Sequence, residues 1–408
     1  MKLDAVIKED RALGHMERYV NEGTKTYSPF SARTEATSQY QPESGRPFFD
    51  LMTVHAPKDR VAVFEADPAE SLRNFFVRPD SVLFAVHPET WASAGVEHLD
   101  EIRALPRGEP IRVAPTASTR TVLALEHAGD IPPHFIKLHY PRRISRFNRR
   151  LKRMNIHNSV AVSRDVAHVG FEKFAYFPEV LGFVFGDGDL AWGFLVRERI
   201  PRPFRAGRFL IPCFALYAGD IEHPGDPPLL VQMIERLGAE PQSFVIDEIM
   251  IPIVECWAKV FRERGLLLES HAQNTLIEID QDFRPRRIVH RDFDVWIDRT
   301  ARRRAGLESP FPGTGIGMKT AEDIAAHVSL IYDRFIGHEF FDYLLAVLKR
   351  FYAVDGDAVR VRVKEAFHRA FPEADHVFPA QTMFYFSNDA PPGKEFMLVD
   401  MKQPPEWR

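Results

Sequence analysis

The polar run His271-Ala272-Gln273-Asn274 lies between the apolar Leu266-Leu267-Leu268 and the strand-forming Thr275-Leu276-Ile277-Glu278-Ile279. A second apolar run ending in Ile288-Val289-His290 follows the turn-rich Asp280-Gln281-Asp282-Phe283-Arg284-Pro285. Two such runs around a turn read as an antiparallel hairpin. Its return brings Asn274 beside Asp292, although 18 positions separate them. An amide oxygen next to a carboxylate is a hard-oxygen environment for magnesium carrying a triphosphate, and Glu269 would add a further oxygen. His271 or Gln273 would donate a hydrogen bond to phosphate. The plain alternative is a polar hairpin end with an ordinary turn network.

The stretch Thr116-Ala117-Ser118-Thr119-Arg120-Thr121 combines hydroxyls with one guanidinium, whose planar fork matches phosphate or carboxylate. A threonine-rich strand end with a surface arginine is the alternative. Lys137 and Arg149 would complete a positive cradle. Activating a carboxylate on the α-phosphate of ATP needs one, because two anions must approach and charge builds in the transition state. Other chemistries lack their signatures: there is no GxxxxGK[ST] phosphate loop, no HExxH and no GxSxG elbow. Gly313, Gly315 and Gly317 alternate, with no strand before them, and read as a loop before a helix. His87, His139, His223 and His290 occur singly, which gives zinc weak support, and His223 opens the rigid turn His-Pro-Gly-Asp-Pro-Pro.

The elements that must position these groups are legible in part. Residues 59–66, 81–87, 134–140 and two runs within 110–125 read as strands. Period two places Lys137 with Phe135 and His139 on one face. Residues 180–198 read as a hairpin around Gly186-Asp187-Gly188, and 209–219 as a buried strand or pair of strands. The basic segment 142–154 has helical spacing. Helices are expected over 227–238, stopped by Gly238, and over 247–264, where Ile249, Ile253, Trp257 and Phe261 make one stripe before Gly265. A helix capped by Thr320 and Asp323 should end at Gly337, another should follow, then a shorter one around Val363–Phe371. Residues 381–399 read as a loop returning to the core. The first 50 residues look irregular after a helical turn or two.

A net charge of −4 excludes a bulk positive field for nucleic acid. The clusters Arg142, Arg143, Arg146, Arg149, Arg150 and Arg284, Arg286, Arg287, Arg291 suit a small anionic ligand, or else form solvated faces. Cys213 and Cys256 sit in apolar runs and read as core thiols. With no apolar leader and no stretch near 18 apolar residues, a cytoplasmic protein without a membrane partner is expected.

Taken in order, these elements resemble the NRPS-independent siderophore synthetases, the aerobactin-synthetase-like family. Its Ser-x-Arg-Thr element is matched by Ser118, Arg120 and Thr121, its following lysine by Lys137, and its more distant arginine by Arg149, with Arg150 the alternative. His271, Gln273 and Asn274 match its His-x-Gln-Asn element, and Arg291-Asp292 its Arg-Asp pair. Arg197-Glu198 and His87-Pro88 resemble two further elements. The matches cover roughly residues 80–300. The resemblance implies an α+β cupped hand with antiparallel sheets, a helical C-terminal palm and ATP in a central cleft. It implies an acyl-adenylate made from a small carboxylic acid such as citrate and then attacked by an amine, and a homodimer as the usual assembly. Arg120, Lys137, His271 and Arg149 are the expected catalytic groups. Ser118, Thr121, Gln273 and Asn274 join Arg120, Lys137 and His271 on the nucleotide, with Asn274, Asp292 and Glu269 on magnesium.

There are departures. The chain is short at its N-terminus, so the thumb is expected to be reduced or absent. The sequence EGTKTYSPFS stands where a histidine- and proline-rich glycine motif belongs. The expected division is an arm or reduced thumb over 1–50, a fingers-like ATP-binding region over 51–220 and a palm-like region over 221–408. Two rivals stand: a small-molecule kinase, which would release ADP, and a noncatalytic nucleotide or siderophore binder.

Overall fold

Alternating apolar residues in the first half build one eight-stranded antiparallel sheet. The computed structural model describes residues 1–21, 34–43, 46–125, 130–144, 147–308, 310–311, 321–385 and 398–408. The sheet runs in the order Val61–Glu65, Glu179–Phe185, Trp192–Glu198, His134–Leu138, Thr121–Ala124, Ile111–Pro115, Phe49–Pro57, Ser81–Val86. The two strands of the 179–198 hairpin are buried at every position. The helix Arg153–Val166 covers one face of them, and the cluster of Phe76, Phe84, Phe183 and Phe194 packs on the other. The hairpin turns through Gly186 and Gly188, both at positive φ, as expected. Gly193 allows the closest approach: a Cβ there would lie 1.7 Å from the Phe183 carbonyl oxygen.

A second sheet carries the other half of the cleft, in the order Phe209–Pro212, Thr275–Ile279, Pro285–His290, Phe174–Tyr176. Its central hairpin matches the sequence reading, with Thr275 opposite His290. Phe174–Tyr176 joins it in parallel. Behind this sheet lie the C-terminal helices. The stripe Ile249, Ile253, Trp257 and Phe261 is buried, and Trp257 meets the rings of Tyr332, Phe371 and Phe378. The N-terminal helices Leu3–Lys8 and Ala12–Arg18 bury Leu3, Val6, Ala12 and Met16 in this same core.

Several expectations need correction. The strand Phe49–Pro57 was not read from the sequence; only its first two residues fall in the stretch expected to be irregular. The basic segment is not a helix: Arg143–Ile144 pairs with Phe147–Asn148, and the helix starts only at Arg153. The long helix begins at Pro241 rather than Asp247, because the Glu240 carboxylate caps it by accepting from the N–H groups of Gln242 and Ser243. One widened turn, Ile246–Met250, precedes Pro252, which has no N–H to close the regular ladder. Gly337 does not stop a helix. The chain stays helical over Ala321–Tyr352, and Gly337 instead makes room for Trp407, whose Cδ1 would lie 2.8 Å from an added Cβ. The short helix expected near the C-terminus is the longer Gly356–Ala370. Met383–Tyr385 pairs with Leu398–Asp400, so part of the expected terminal loop is a ribbon. The Thr320 cap, the Gly313–Gly317 loop and the segment EGTKTYSPFS lie outside the described residues. Among the described residues, no helix is long and apolar enough to cross a membrane.

Candidate active site

The turn Thr116–Arg120 joins Ile111–Pro115 to Thr121–Ala124. Thr116 Oγ1 donates to the Thr121 carbonyl at 2.5 Å and accepts from the Ser118 N–H at 3.3 Å, while Ser118 Oγ donates to Thr121 Oγ1 at 3.1 Å. Thr119 sits at φ 63°, an uncommon conformation for a β-branched residue. The turn is anchored from outside, since the Ala117 N–H donates to the Glu17 carbonyl at 2.8 Å. Arg120 donates to the Arg149 carbonyl at 3.0 Å. Burial, with the Arg149 charge adding, pushes the Arg120 guanidinium down to about 10, so it remains a cation at neutral pH.

Across the cleft, the Arg291 N–H donates to the Asn274 carbonyl at 2.9 Å, so the hairpin ends do meet. Arg291 points the other way, donating to the Gln273 carbonyl and pairing with the Glu17 carboxylate. Asp292, at φ 75°, turns back toward the large sheet. There Lys137 Nζ, 2% exposed, meets Asp292 Oδ1 at 2.6 Å. Arg197 Nη2 lies 3.9 Å from the other carboxylate oxygen and 2.6 Å from Glu179 Oε1. Burial opposes ionisation of Asp292, but the charges of Lys137, Arg197 and Arg120 outweigh it and hold the carboxyl well below the usual range.

Glu269 has the opposite balance. Burial, with Asp292 and Asp294 adding, pushes its carboxyl up to about 8, against the pull of Arg149 and Lys137. Burial also holds His271 neutral, down to about 3. Arg149 thus faces Glu269, His271 and Arg120, whereas the exposed Arg150 acts on His139 instead. The structure therefore groups Arg120, Thr121, Lys137, Arg149, Glu269, His271 and Asp292 where the two sheets meet, with Ser118 hydrogen-bonded to Thr121 and with Gln273 and Asn274 at the adjoining hairpin end. Asn274 and Gln273 are buried, with their main chains tied into the hairpin end.

Sequence reasoning did not place Asp294, Asn155 or Glu179 here. Asn155 donates to both Asp294 oxygens at 3.2 Å, and Glu179 fixes Arg197. Asp294 could have been found from its two-residue spacing to Asp292. Glu179 and Asn155 carry no sequence signal. The oxygens of Asn274, Asp292 and Glu269 fit a hard divalent cation in kind: Glu269 is an acid crowded by two other acids, the surplus that such an ion offsets. Thr119 Oγ1 and Arg197 Nε are buried without hydrogen-bond partners among the described residues, as polar atoms beside a ligand site would be.

Residues 23–218 match the IucA / IucC family, and residues 247–400 match the family described as ferric iron reductase FhuF-like transporter. Among solved structures, aerobactin synthetase IucC from a hypervirulent pathotype of Klebsiella pneumoniae aligns with 100% of this chain and 78% of its own, at 14% identity and TM-score 0.69. The petrobactin biosynthesis protein AsbB from Bacillus anthracis str. Sterne aligns with 92% of this chain and 70% of its own, at 17% identity and TM-score 0.66. ATP-bound aerobactin synthetase IucA from the same Klebsiella pathotype aligns with 91% of this chain and 73% of its own, at 16% identity and TM-score 0.64. At these identities the likeness is one of fold, and the fold is the expected α+β one. No curated protein sequence matches the chain.

Proposed function

We propose that the chain, whose residues 23–218 match the IucA / IucC family, is an ATP-dependent ligase that adenylates a small carboxylic acid and passes the acyl group to an amine. The observation that carries this reading is the cross-cleft contact of Lys137 with Asp292, set among Arg120, Arg149 and Arg197. A cleft with buried cations on one wall and acids on the other suits the meeting of a nucleotide triphosphate and a carboxylate.

Arg120 and Lys137 stand where they offset the repulsion between carboxylate and α-phosphate. Arg149 adds charge from the neighbouring strand end, and the Ser118 and Thr121 hydroxyls orient phosphate oxygens. Neutral His271 donates one N–H without adding charge. Magnesium, held by Asn274 and Asp292 with Glu269, would neutralise triphosphate charge when bound. The carboxylate oxygen attacks the α-phosphorus as the α–β anhydride bond breaks and pyrophosphate leaves. The amine nitrogen then attacks the acyl carbon, the acyl–oxygen bond breaks, AMP leaves and the amine gives up one proton. Citrate is the first acid to test. A homodimer in the cytoplasm is the assembly that goes with this reading.

The test is nucleotide product analysis with ATP, magnesium and a panel of carboxylates and amines. AMP, pyrophosphate and a condensed amide are expected. ADP would replace the reading with phosphotransfer. Nucleotide binding with no turnover across a broad panel would favour a binding protein.

A further inference from the structure

Outside the cleft, one cluster of side chains remains unexplained by any nucleotide chemistry. We propose that His15, Asp220 and His223 form a binding site for a divalent transition metal ion of the zinc class. One ligand atom from each lies within 4.8 Å of the other two. His15 Nε2 is 2.9 Å and His223 Nδ1 is 3.1 Å from the same carboxylate oxygen, Asp220 Oδ2. Tetrahedral zinc with ligands at about 2.0–2.1 Å holds them roughly 3.3 Å apart, so only small movements close the set around an ion. Two imidazoles and one carboxylate are a donor set that suits zinc and its neighbours rather than magnesium.

The carboxylate is held ready for this. Asp220 is 5% exposed, and its Oδ1 accepts the N–H groups of Glu222 and His223 at 2.8 and 3.2 Å, leaving Oδ2 aimed at the imidazoles. The far ring nitrogen of His15, Nδ1, lies 3.7 Å from the Glu222 carboxylate, beyond hydrogen-bond distance but near enough for a small movement to bring a second acid onto a metal-binding imidazole. The Met1 ammonium also sits 2.5 Å from Oδ2 and 2.8 Å from Asp226. That oxygen therefore gathers three nitrogens, and a metal ion replaces the ammonium's charge there. His223 is exposed, so water completes the coordination. Each imidazole binds through a neutral nitrogen, and its proton moves to the far nitrogen or to solvent.

The ion would staple the helix Ala12–Arg18 to the loop after Leu216. That helix carries Glu17, which holds Arg291 beside Asp292 and anchors Ala117 beside Ser118. The singly scattered histidines of the sequence thus include one, His223, that the fold pairs with another.

Chelator-treated protein, free of nucleotide, is titrated with zinc against a competing chromophoric chelator. One equivalent is expected to bind. His223→Ala and Asp220→Asn should each weaken binding at least tenfold, and Asp292→Asn should leave it unchanged. Zinc should raise the unfolding temperature of the wild type and not that of His223→Ala, whose side chain is exposed and whose zinc-free melting should match the wild type. Wild-type protein that binds no zinc, His223→Ala that titrates like the wild type, or loss of binding in Asp292→Asn would each overturn the proposal.

Discussion

Replacing Lys137 by methionine removes a cation that is 2% exposed and lies 2.6 Å from a carboxylate on the opposite side of the cleft. At an effective dielectric of about 20 the attraction at that distance is about 6 kcal/mol before desolvation. Breaking a buried pair from one side costs about 3–5 kcal/mol net. Asp292 is one-quarter exposed and keeps Arg197 at 3.9 Å, so about 3 kcal/mol is expected in the ligand-free protein. An unfolding entropy of roughly 2.1 cal/mol/K per residue gives about 0.9 kcal/mol/K for 408 residues. The unfolding midpoint should then fall by about 3–4 °C. Asp292→Asn should lower it comparably, since it leaves Lys137 and Arg197 facing each other. The double variant should recover at least half of the summed losses, because neither charge is left alone. Thermal unfolding of the wild type, both single variants and the double variant is the assay. Losses that simply add, or single variants that melt like the wild type, would refute the idea that this pair ties the two walls together.

Three further outcomes are expected. Glu269, held neutral below about pH 8, must ionise to meet a cation, so binding of magnesium and ATP at pH 7 should expel close to one proton and tighten as pH rises toward 8. Calorimetry in buffers of different ionisation enthalpy reads this release, which Glu269→Gln should abolish. Burial disfavours the Asp165 carboxylate, but hydrogen bonds and charge from Arg264 and Arg302 outweigh it and hold the carboxyl below its usual value. Its stabilisation is present above about pH 4 and lost as pH falls through the depressed native value. Asp165→Asn should therefore melt lower than the wild type at pH 7, by about 3 kcal/mol, with the gap closing in acid. Gly337→Ala forces a methyl to 2.8 Å from Trp407 Cδ1 and should cost about 1–3 kcal/mol, read as a lowered melting midpoint.

What the sequence made legible follows the physics of each segment. The hairpin ending at Asn274 and Asp292 was readable because alternation and a turn-rich centre act locally. Its end residues carry the polar groups of one cleft wall. The helix Arg153–Val166 was not readable, because its buried face includes Asn158, Ser159 and Ser163, and Ser163 Oγ accepts from the Glu179 N–H. Such polar residues break an apolar stripe in sequence; Ser163 is satisfied in the fold, whereas Asn158 Oδ1 and Ser159 Oγ are buried without a hydrogen-bond partner among the described residues. Gly337 misled for a similar reason. Its role is set by Trp407, 70 positions away, and no window of sequence contains both. The sequence favoured Arg149 over Arg150 without separating them; in the fold Arg150 is exposed, while Arg149 is half-buried near Glu269 and His271. His15 and His223 carry no shared spacing signal, so only the fold brings them together.

The pairing of Glu17 with Arg291 has a consequence for synthesis. The two residues are 274 positions apart, and both are buried in the finished protein. At about 5–20 residues per second, the ribosome takes roughly 14–55 s to reach the arginine after making the glutamate. Through that interval the first helices have no core to enter, since the strands and helices they pack against are still being made. The helices Leu3–Lys8 and Ala12–Arg18 are therefore among the last elements to settle, and their apolar residues stand open to chaperones until the C-terminal half arrives.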